Sequence, residues 1–356
     1  MAKNWVTVAG SAELARPLIE RAERADGSSP VSDQALLAVA QGQRELLLFA
    51  SDEAAGEQAG VVAVGILGQG ELDLVVDPPA RGRGIGTRAL RELLARPGAA
   101  PGGAGEPAGD QAASQTSTPA TGLLAWAHGE NPAASALLRG AGFVPVRSLY
   151  RMALDPALLP GGGVDPLAVA LPAGFALRTF GADRVDGPGG RAGGEGHRPA
   201  DPHPADAHPT DSDPADARAW VAANAAAFAS HPEQGKVTLE DFALMRAEPW
   251  FNPADLFLLA APAPAALAGF TWVKTVREGE HVETELYAIG IVPGFAGQGL
   301  GRALLDVTLA RMAQHHPSRV TLYVDGENER AVRMYEAAGF TIDSRSTQWR
   351  GPQVSE

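Results

Sequence analysis

Two glycine-rich turns occupy corresponding places in the two halves of this 356-residue chain, and they are the residues best suited to chemistry. In the first, Leu74, Val75 and Val76 lead through Asp77-Pro78 into Arg81-Gly82-Arg83-Gly84-Ile85-Gly86-Thr87. In the second, Ile289, Gly290 and Ile291 lead through Val292-Pro293 into Ala296-Gly297-Gln298-Gly299-Leu300-Gly301-Arg302. A glycine turn that opens a helix aims several unpaired backbone N–H groups at one point. Residues without side chains let a pyrophosphate approach that backbone closely. Arg81, Arg83 and Arg302 can add positive charge. A chain with 42 glycines produces such strings by chance. Here, however, both follow an apolar strand and a proline, and both open a helix of apolar period.

The elements that must position these turns repeat as well. Pro78 and Gly84 recur as Pro293 and Gly299 at a constant offset of 215. A later echo, Gly129-Glu130-Asn131 through Ala141-Gly142-Phe143, recurs as Gly326-Glu327-Asn328 through Ala338-Gly339-Phe340 at an offset of 197. Two copies of one fold, each with its own inserted loop, explain both offsets. Residues 1–155 form the first domain. Its pattern gives a helix over Ser11–Arg24, strands over Arg44–Ala50, Val61–Leu67 and Leu72–Val76, and a helix after Gly86. A loop of Pro, Gly, Ala, Ser and Thr at 97–120 cannot bury a core. Folded pattern returns at Leu123–Ala127 and ends near Met152. Residues 156–174 are a linker, and 175–350 form the second domain. An insert at 181–216 interrupts it. His197, His203 and His208 lie there among prolines and aspartates, in irregular spacing that reads as solvated linker rather than a metal site. Helices follow over Ala219–Phe228 and from Leu239, then strands, the second glycine turn, a helix from Gly301 and a closing strand–helix–strand.

Bulk properties exclude several functions. A net charge of −13 leaves no basic stripe for nucleic acid. The chain has no cysteine, so disulfides, thiolate metal sites and an acyl-cysteine intermediate are excluded. No apolar run approaches the roughly 18–20 residues of a membrane helix. The N-terminus shows no basic-then-apolar leader. The expectation is a cytoplasmic monomer that binds neither metal nor membrane.

The turns lack the Lys-Ser/Thr of a nucleotide P-loop and the spacing of a dinucleotide fingerprint. They resemble the R/Q-x-x-G-x-G/A loop of the GCN5-related N-acetyltransferases. The resemblance implies an α/β fold of two tandem domains, each a mostly antiparallel twisted mixed sheet flanked by helices. It also implies acetyl-CoA as co-substrate, with a second copy in the N-terminal domain. The strand residues Leu74–Val76 and Ile289–Ile291 would hold the pantetheine arm. The turn residues 82–87 and 296–302 would hold the pyrophosphate. The Asn-x-x-Ala habit of that family falls on Asn131 to Ala134 and on Asn328 to Ala331. It places Asn328, Glu329, Arg330, Ala331, Val332 and Arg333 beside the cofactor. Ala296 departs from the pattern, standing where Gln or Arg is usual.

Amine acetylation needs a neutral amine, a proton acceptor beside it and a donor for the departing sulfur. Glu285 precedes the cofactor strand in the same alternation as Tyr287 and Ile289, and serves as base. Tyr335 lies on the helix that starts at the Asn-x-x-Ala motif, and serves as acid. The two offsets pair Glu285 with Gly70 and Tyr335 with Leu138. Glu71 is one residue off, on the opposite face unless a bulge intervenes. The second half is therefore expected to do the chemistry. The first is a degenerate copy that binds acetyl-CoA structurally or not at all.

Finer marks narrow the resemblance. The string Asn224 to Gly235, together with Trp250-Phe251-Asn252-Pro253, Phe270 to Lys274, Leu322-Tyr323-Val324 and Trp126 to Gly129, is similar to the mycothiol synthases of actinobacteria. That similarity implies direct acetyl transfer, in a ternary complex, to the cysteinyl amine of cysteinyl-glucosaminyl-inositol, a small thiol pseudo-disaccharide. Asp33, Glu233, Lys274, Glu285 and Tyr323 would hold it. Blander readings stand beside these: Asp33 as cap of a helix from Gln34, Glu233 as a turn acid, Tyr323 as packing. The competing functions are acetylation of another amine, such as an aminoglycoside, and a non-catalytic acetyl-CoA-binding regulatory module.

Overall fold

The computed structural model describes residues 5–51, 60–96, 122–182, 213–229, 234–262 and 266–352. The 97–120 loop, most of the 181–216 insert with its three histidines, and Glu233 lie outside the described residues. In chain order the elements are β1 (Trp5–Ala9), α1 (Ala12–Asp26), α2 (Asp33–Ala40), β2 (Glu45–Ser51), β3 (Gly60–Gly68), β4 (Glu71–Val76) and α3 (Ile85–Leu94). Then come β5 (Leu124–Ala127), α4 (Pro132–Gly140), β6 (Val144–Leu154), β7 (Ala176–Thr179), α5 (Asp213–Ala227) and α6 (Leu239–Ala247). The chain closes with β8 (Leu256–Ala260), β9 (Leu267–Glu278), β10 (His281–Ile291), α7 (Leu300–Gln314), β11 (Arg319–Asp325), α8 (Glu329–Glu336) and β12 (Thr341–Arg350). α5 begins inside the stretch read from sequence as insert. Asp216 is fully buried there, holding Arg178 through two oxygens at 2.6 and 2.5 Å.

The chain forms two compact units. The first comprises Met1–Arg151, Val324–Val332 and Ile342–Glu356. Its sheet runs β1-β2-β3-β4-β5-β12-β6, so the last strand of the chain belongs to the first unit. β1 to β4 pair antiparallel in sequence, β4 meets β5 in parallel, and β12 pairs antiparallel with β5 from Thr347↔Ala127 to Arg350↔Leu124. One core, containing Leu47, Phe49, Leu93, Phe143 and Trp349, lies under α3 and α4. The other, containing Leu18, Ile19, Leu48 and Ile66, lies under α1 and α2. α1 is set by its ends. Leu14 N–H donates to Ser11 Oγ, and Gly27 closes the helix at φ 70°.

The second unit comprises Met152–Tyr323 and Arg333–Thr341, and its sheet runs β11-β10-β9-β8-β7. β7 to β10 are antiparallel, and β10 meets β11 in parallel. α7 packs on one face, where Leu300 and Leu304 join Leu259 and Ala268. α5 and α6 cover the other face over an aromatic core. Trp220 stacks on Phe242 at 4.4 Å, and both meet Trp272 edge-on. A capping box of Thr238 and Asp241 starts α6.

Candidate active site

In each unit a strand pair parts just before a glycine turn. In the second unit the β10–β11 ladder stops at Leu286↔Leu322, while β10 stays paired with β9 as far as Ile291↔Gly269. In the first, the β4–β5 ladder is confined to Glu71↔Leu124 and Leu72↔Ala125, while β4 stays paired with β3 as far as Val76↔Ala63. Each parting exposes strand backbone between its own two strands, as an extended pantetheine arm requires.

A short 3-10 turn follows each strand, over Pro78–Ala80 and Pro293–Phe295. The glycines then adopt left-handed backbone, with φ 74° and 78° at Gly82 and Gly84 and 80° and 79° at Gly297 and Gly299. Gly84 and Gly299 cap α3 and α7 without any side-chain bond. A Cβ at any of the four would meet nothing within 4 Å. The turns thus combine helix-start N–H groups, no side chains and open space in front of them, which fits a pyrophosphate. Gly86 and Gly301 serve packing: a Cβ there would lie 3.3 Å from Leu137 and 3.7 Å from Met334 respectively. Arg81 is engaged elsewhere, bonding both oxygens of Asp26 at 2.6 and 2.8 Å and the Val76 carbonyl at 3.1 Å. Arg302 pairs with Asp306 one turn on, at 3.0 Å. Arg83 and Thr87 are exposed, as are Ala296 and Gln298.

Of the side chains expected to bind acceptor, Lys274, Glu285 and Tyr323 lie on the α5–α6 face of the second unit's sheet. Lys274 stands directly across from Glu285 in the β9–β10 register. Thr321, opposite Glu285 on β11, is buried, and Tyr323 two residues on is 39% exposed. The Lys274 ammonium lies 5.0 Å from the Trp250 ring centre and 5.6 Å from that of Tyr287.

A bulge corrects the alternation expected from sequence. The register shifts between Leu286 and Ala288, so Tyr287 is an extra residue in β10. Glu285 pairs with Lys274 on the α5–α6 face, whereas Ile289 pairs with Thr271, whose hydroxyl meets Thr308 of α7 at 2.6 Å. Glu285 and Ile289 therefore lie on opposite faces.

The same extra residue corrects the pairing of Glu285 with Gly70. β3–β4 runs without a register shift, so the offset of 215 falls to 214 before the bulge. Glu71 sits opposite Leu124 as Glu285 sits opposite Thr321, and Gly70 is merely a turn residue at φ 78°. The first unit thus keeps the carboxylate. It lies in an ion pair with Arg44, which also reaches Asp73 at 3.4 Å and is 8% exposed. Gly68 faces Glu71 where Lys274 faces Glu285. Sequence reading missed Arg44 as more than a strand start. Placing β2, β3 and β4 side by side in register would have exposed it.

Tyr335 and Leu138 are true counterparts, each accepting the closing N–H of its helix, from Phe340 at 3.1 Å and Phe143 at 3.0 Å. The Tyr335 ring packs edge-on against Phe340 and is 4% exposed. Burial pushes its phenol well above the usual 10.0, so it keeps its proton at neutral pH. Asn131 and Asn328 cap α4 and α8, accepting from Ala134 N–H at 2.9 Å and Ala331 N–H at 3.1 Å. The Asn-x-x-Ala spacing is thereby explained as local helix chemistry. Beside Asn328, a hydrogen bond with Asp325, reinforced by burial, holds Glu327 above the ordinary carboxylate range. Glu329 opens the first turn of α8, and Arg333 lies in its last.

Asp33 lies in the first unit as the first residue of α2. The cap is Ser32, which accepts Ala35 N–H at 3.1 Å, so Asp33 is released from that role and is exposed. Among the described residues no cluster of three or more His, Asp or Glu could hold a metal ion. No described helix is long and apolar enough to cross a membrane.

Comparison with known proteins agrees with this geometry. The Acetyltransferase (GNAT) family matches residues 16–102 and 220–340. A mycothiol acetyltransferase of Frankia alni is 38% identical over 357 residues, covering 94% of this chain and 90% of the relative. One from Thermobispora bispora is 36% identical, covering 93% of each. Among solved structures, a tandem GNAT protein of the clavulanic acid biosynthesis pathway covers 99% of this chain and 100% of its own, with TM-score 0.61 at 17% identity. A GCN5-related N-acetyltransferase from Sphaerobacter thermophilus covers 99% and 98%, with TM-score 0.56 at 19% identity. Both halves of the sequence, each with its parted strands and glycine turn, place this chain in the acetyltransferase (GNAT) family.

Proposed function

We propose that the protein transfers acetyl from acetyl-CoA to the cysteinyl amine of cysteinyl-glucosaminyl-inositol, forming mycothiol by direct transfer in a ternary complex. The observation that carries this is the extent of the relatives. The mycothiol acetyltransferases match across both halves at 34–38% identity.

Bound acetyl-CoA supplies a thioester carbonyl open to attack by an amine. Gly297, Gly299 and the start of α7 would hold its pyrophosphate, and the backbone of Ile289–Ile291 its pantetheine arm. Glu285 takes a proton from the acceptor ammonium, directly or through one water. The freed nitrogen forms the N–C bond to the acetyl carbonyl as the C–S bond breaks and the electron pair leaves on sulfur, and the nitrogen's surplus proton passes through water to that sulfur, giving the amide and the free thiol. Tyr335 holds its proton against the departing thiolate. Asp33, Glu233, Lys274 and Tyr323 bind the hydroxyls of the pseudo-disaccharide. The first unit carries a cradle of its own that can hold a second acetyl-CoA. With Glu71 paired to Arg44 and leucine at 138, it has neither an available base nor an acid. The protein acts as a cytoplasmic monomer.

The test is product analysis. Purified protein, acetyl-CoA and the pseudo-disaccharide should give the N-acetylated product by mass spectrometry, with glucosamine and spermine unreacted. Acetylation of another amine in preference would discard this acceptor and keep the enzyme.

A further inference from the structure

We propose that Trp250 is a positioning residue for acceptor binding. With Tyr287 it forms a two-ring seat beneath the Lys274 ammonium, across the strand pair from Glu285. The inference rests on the acceptor-binding reading of Lys274 and deepens it.

Lysine is a point charge on a flexible four-carbon stem, and fixing it costs as much rotamer freedom as any side chain loses. A cation over an aromatic face is held by the ring quadrupole out to about 6 Å. Here both faces fall inside that range, at 5.0 and 5.6 Å, with the two rings 4.9 Å apart and inclined at 50°. The rings are themselves fixed. Trp250 lies 5.4 Å and Tyr287 5.1 Å from Trp272, which is fully buried. The segment that carries Trp250 is pinned on either side. Phe251 N–H donates to the Glu248 carbonyl at 2.9 Å, and Asn252 caps the turn Pro253–Asp255.

Tyr287 is the bulge residue of β10, the one residue that β4 lacks. The extra residue supplies one ring of the seat, and the cation above it has Gly68 at its counterpart position in the first unit. The seat thus belongs to the unit in which a lysine stands across from the carboxylate. A cation ordered before the acceptor arrives spares the complex the cost of ordering it. The effect falls on acceptor affinity rather than on the chemical step.

The chain has three lysines, Lys3, Lys236 and Lys274. Reductive methylation with ¹³C-formaldehyde therefore labels three side chains and the N-terminus, and Lys274→Met identifies the Lys274 signal. That signal should be displaced upfield by the ring currents, return to the free-lysine position in Trp250→Leu, and stay displaced in Trp250→Phe. With unmodified protein, Trp250→Leu should raise KM for the acceptor roughly 5- to 30-fold. It should leave kcat and KM for acetyl-CoA within about twofold, and Trp250→Phe should restore most of the loss. In a Lys274→Met background, Trp250→Leu should add nothing. Tyr287→Leu gives the same readouts should Trp250→Leu fold poorly. An undisplaced Lys274 signal, an unchanged acceptor KM, or additive losses in the double variant would overturn the proposal. The labelling readout needs no acceptor, and the kinetics can use whichever amine the enzyme acetylates. A wrong acceptor therefore fails the functional reading alone.

Discussion

On the proposed mechanism Glu285, Arg44 and Tyr335 distinguish the two units. Glu285 faces a lysine, and Glu71, its counterpart, is gripped by Arg44. Glu285→Gln should lower kcat by about 10²- to 10⁴-fold while acetyl-CoA binding by calorimetry stays intact. An unchanged kcat would remove Glu285 as the base. Arg44→Met leaves half-buried Glu71 and buried Asp73 without their arginine. It should cost about 3–5 kcal/mol in urea unfolding, with turnover per folded molecule unchanged. Tyr335 makes its mark at high pH. Its folded phenol lies above the unfolded value of 10.0. The neutral form therefore contributes in full below pH 10, and that contribution drains away at about 1.4 kcal/mol per pH unit as pH rises past 10. Melting curves from pH 8 to 11 should show Tyr335→Phe losing less stability above pH 10 than the parent chain.

At the scale of elements, the glycine turns and the strands before them were legible and the bulge was not. The turns follow from residues with fixed backbone meaning: proline after a strand, then glycine at two positions that need positive φ. Gly84→Ala and Gly299→Ala should each strain an αL position by about 1–2 kcal/mol. Only Gly299→Ala should raise KM for acetyl-CoA in the acetylation assay, since the proposed base belongs to the second unit. An equal loss from Gly84→Ala would make the first cradle part of turnover. The bulge at Tyr287 escaped because a single inserted residue leaves the apolar pattern of β10 intact. It becomes visible only when the register with β9 is compared with that of β3 and β4. The cap of α2 was misplaced by one residue for a related reason. Ser32 and Asp33 are both good N-caps, and only backbone geometry chooses between them. Asp216 looked like linker because its neighbours are Pro, Ala and Asp. Its burial is set by Arg178, 38 residues away.

At the scale of the molecule, the first unit is not made of the first half alone. Trp349, seven residues from the C-terminus, is 3% exposed in the core with Leu123, Ala125 and Phe143. Trp349→Ala should therefore cost about 3–5 kcal/mol, measured as a fall in the urea midpoint. Amide exchange should rise first in β5, which β12 covers. Protein synthesis meets the same arrangement as a matter of timing. A ribosome delivers β1 to β5 long before Thr341–Arg350, so the nascent chain carries the open edge of β5 through more than half of translation. Open edges recruit foreign strands. A chain that stops short of Thr341 would leave that edge bare for good, so the first unit is finished only after nearly all of the second has been made.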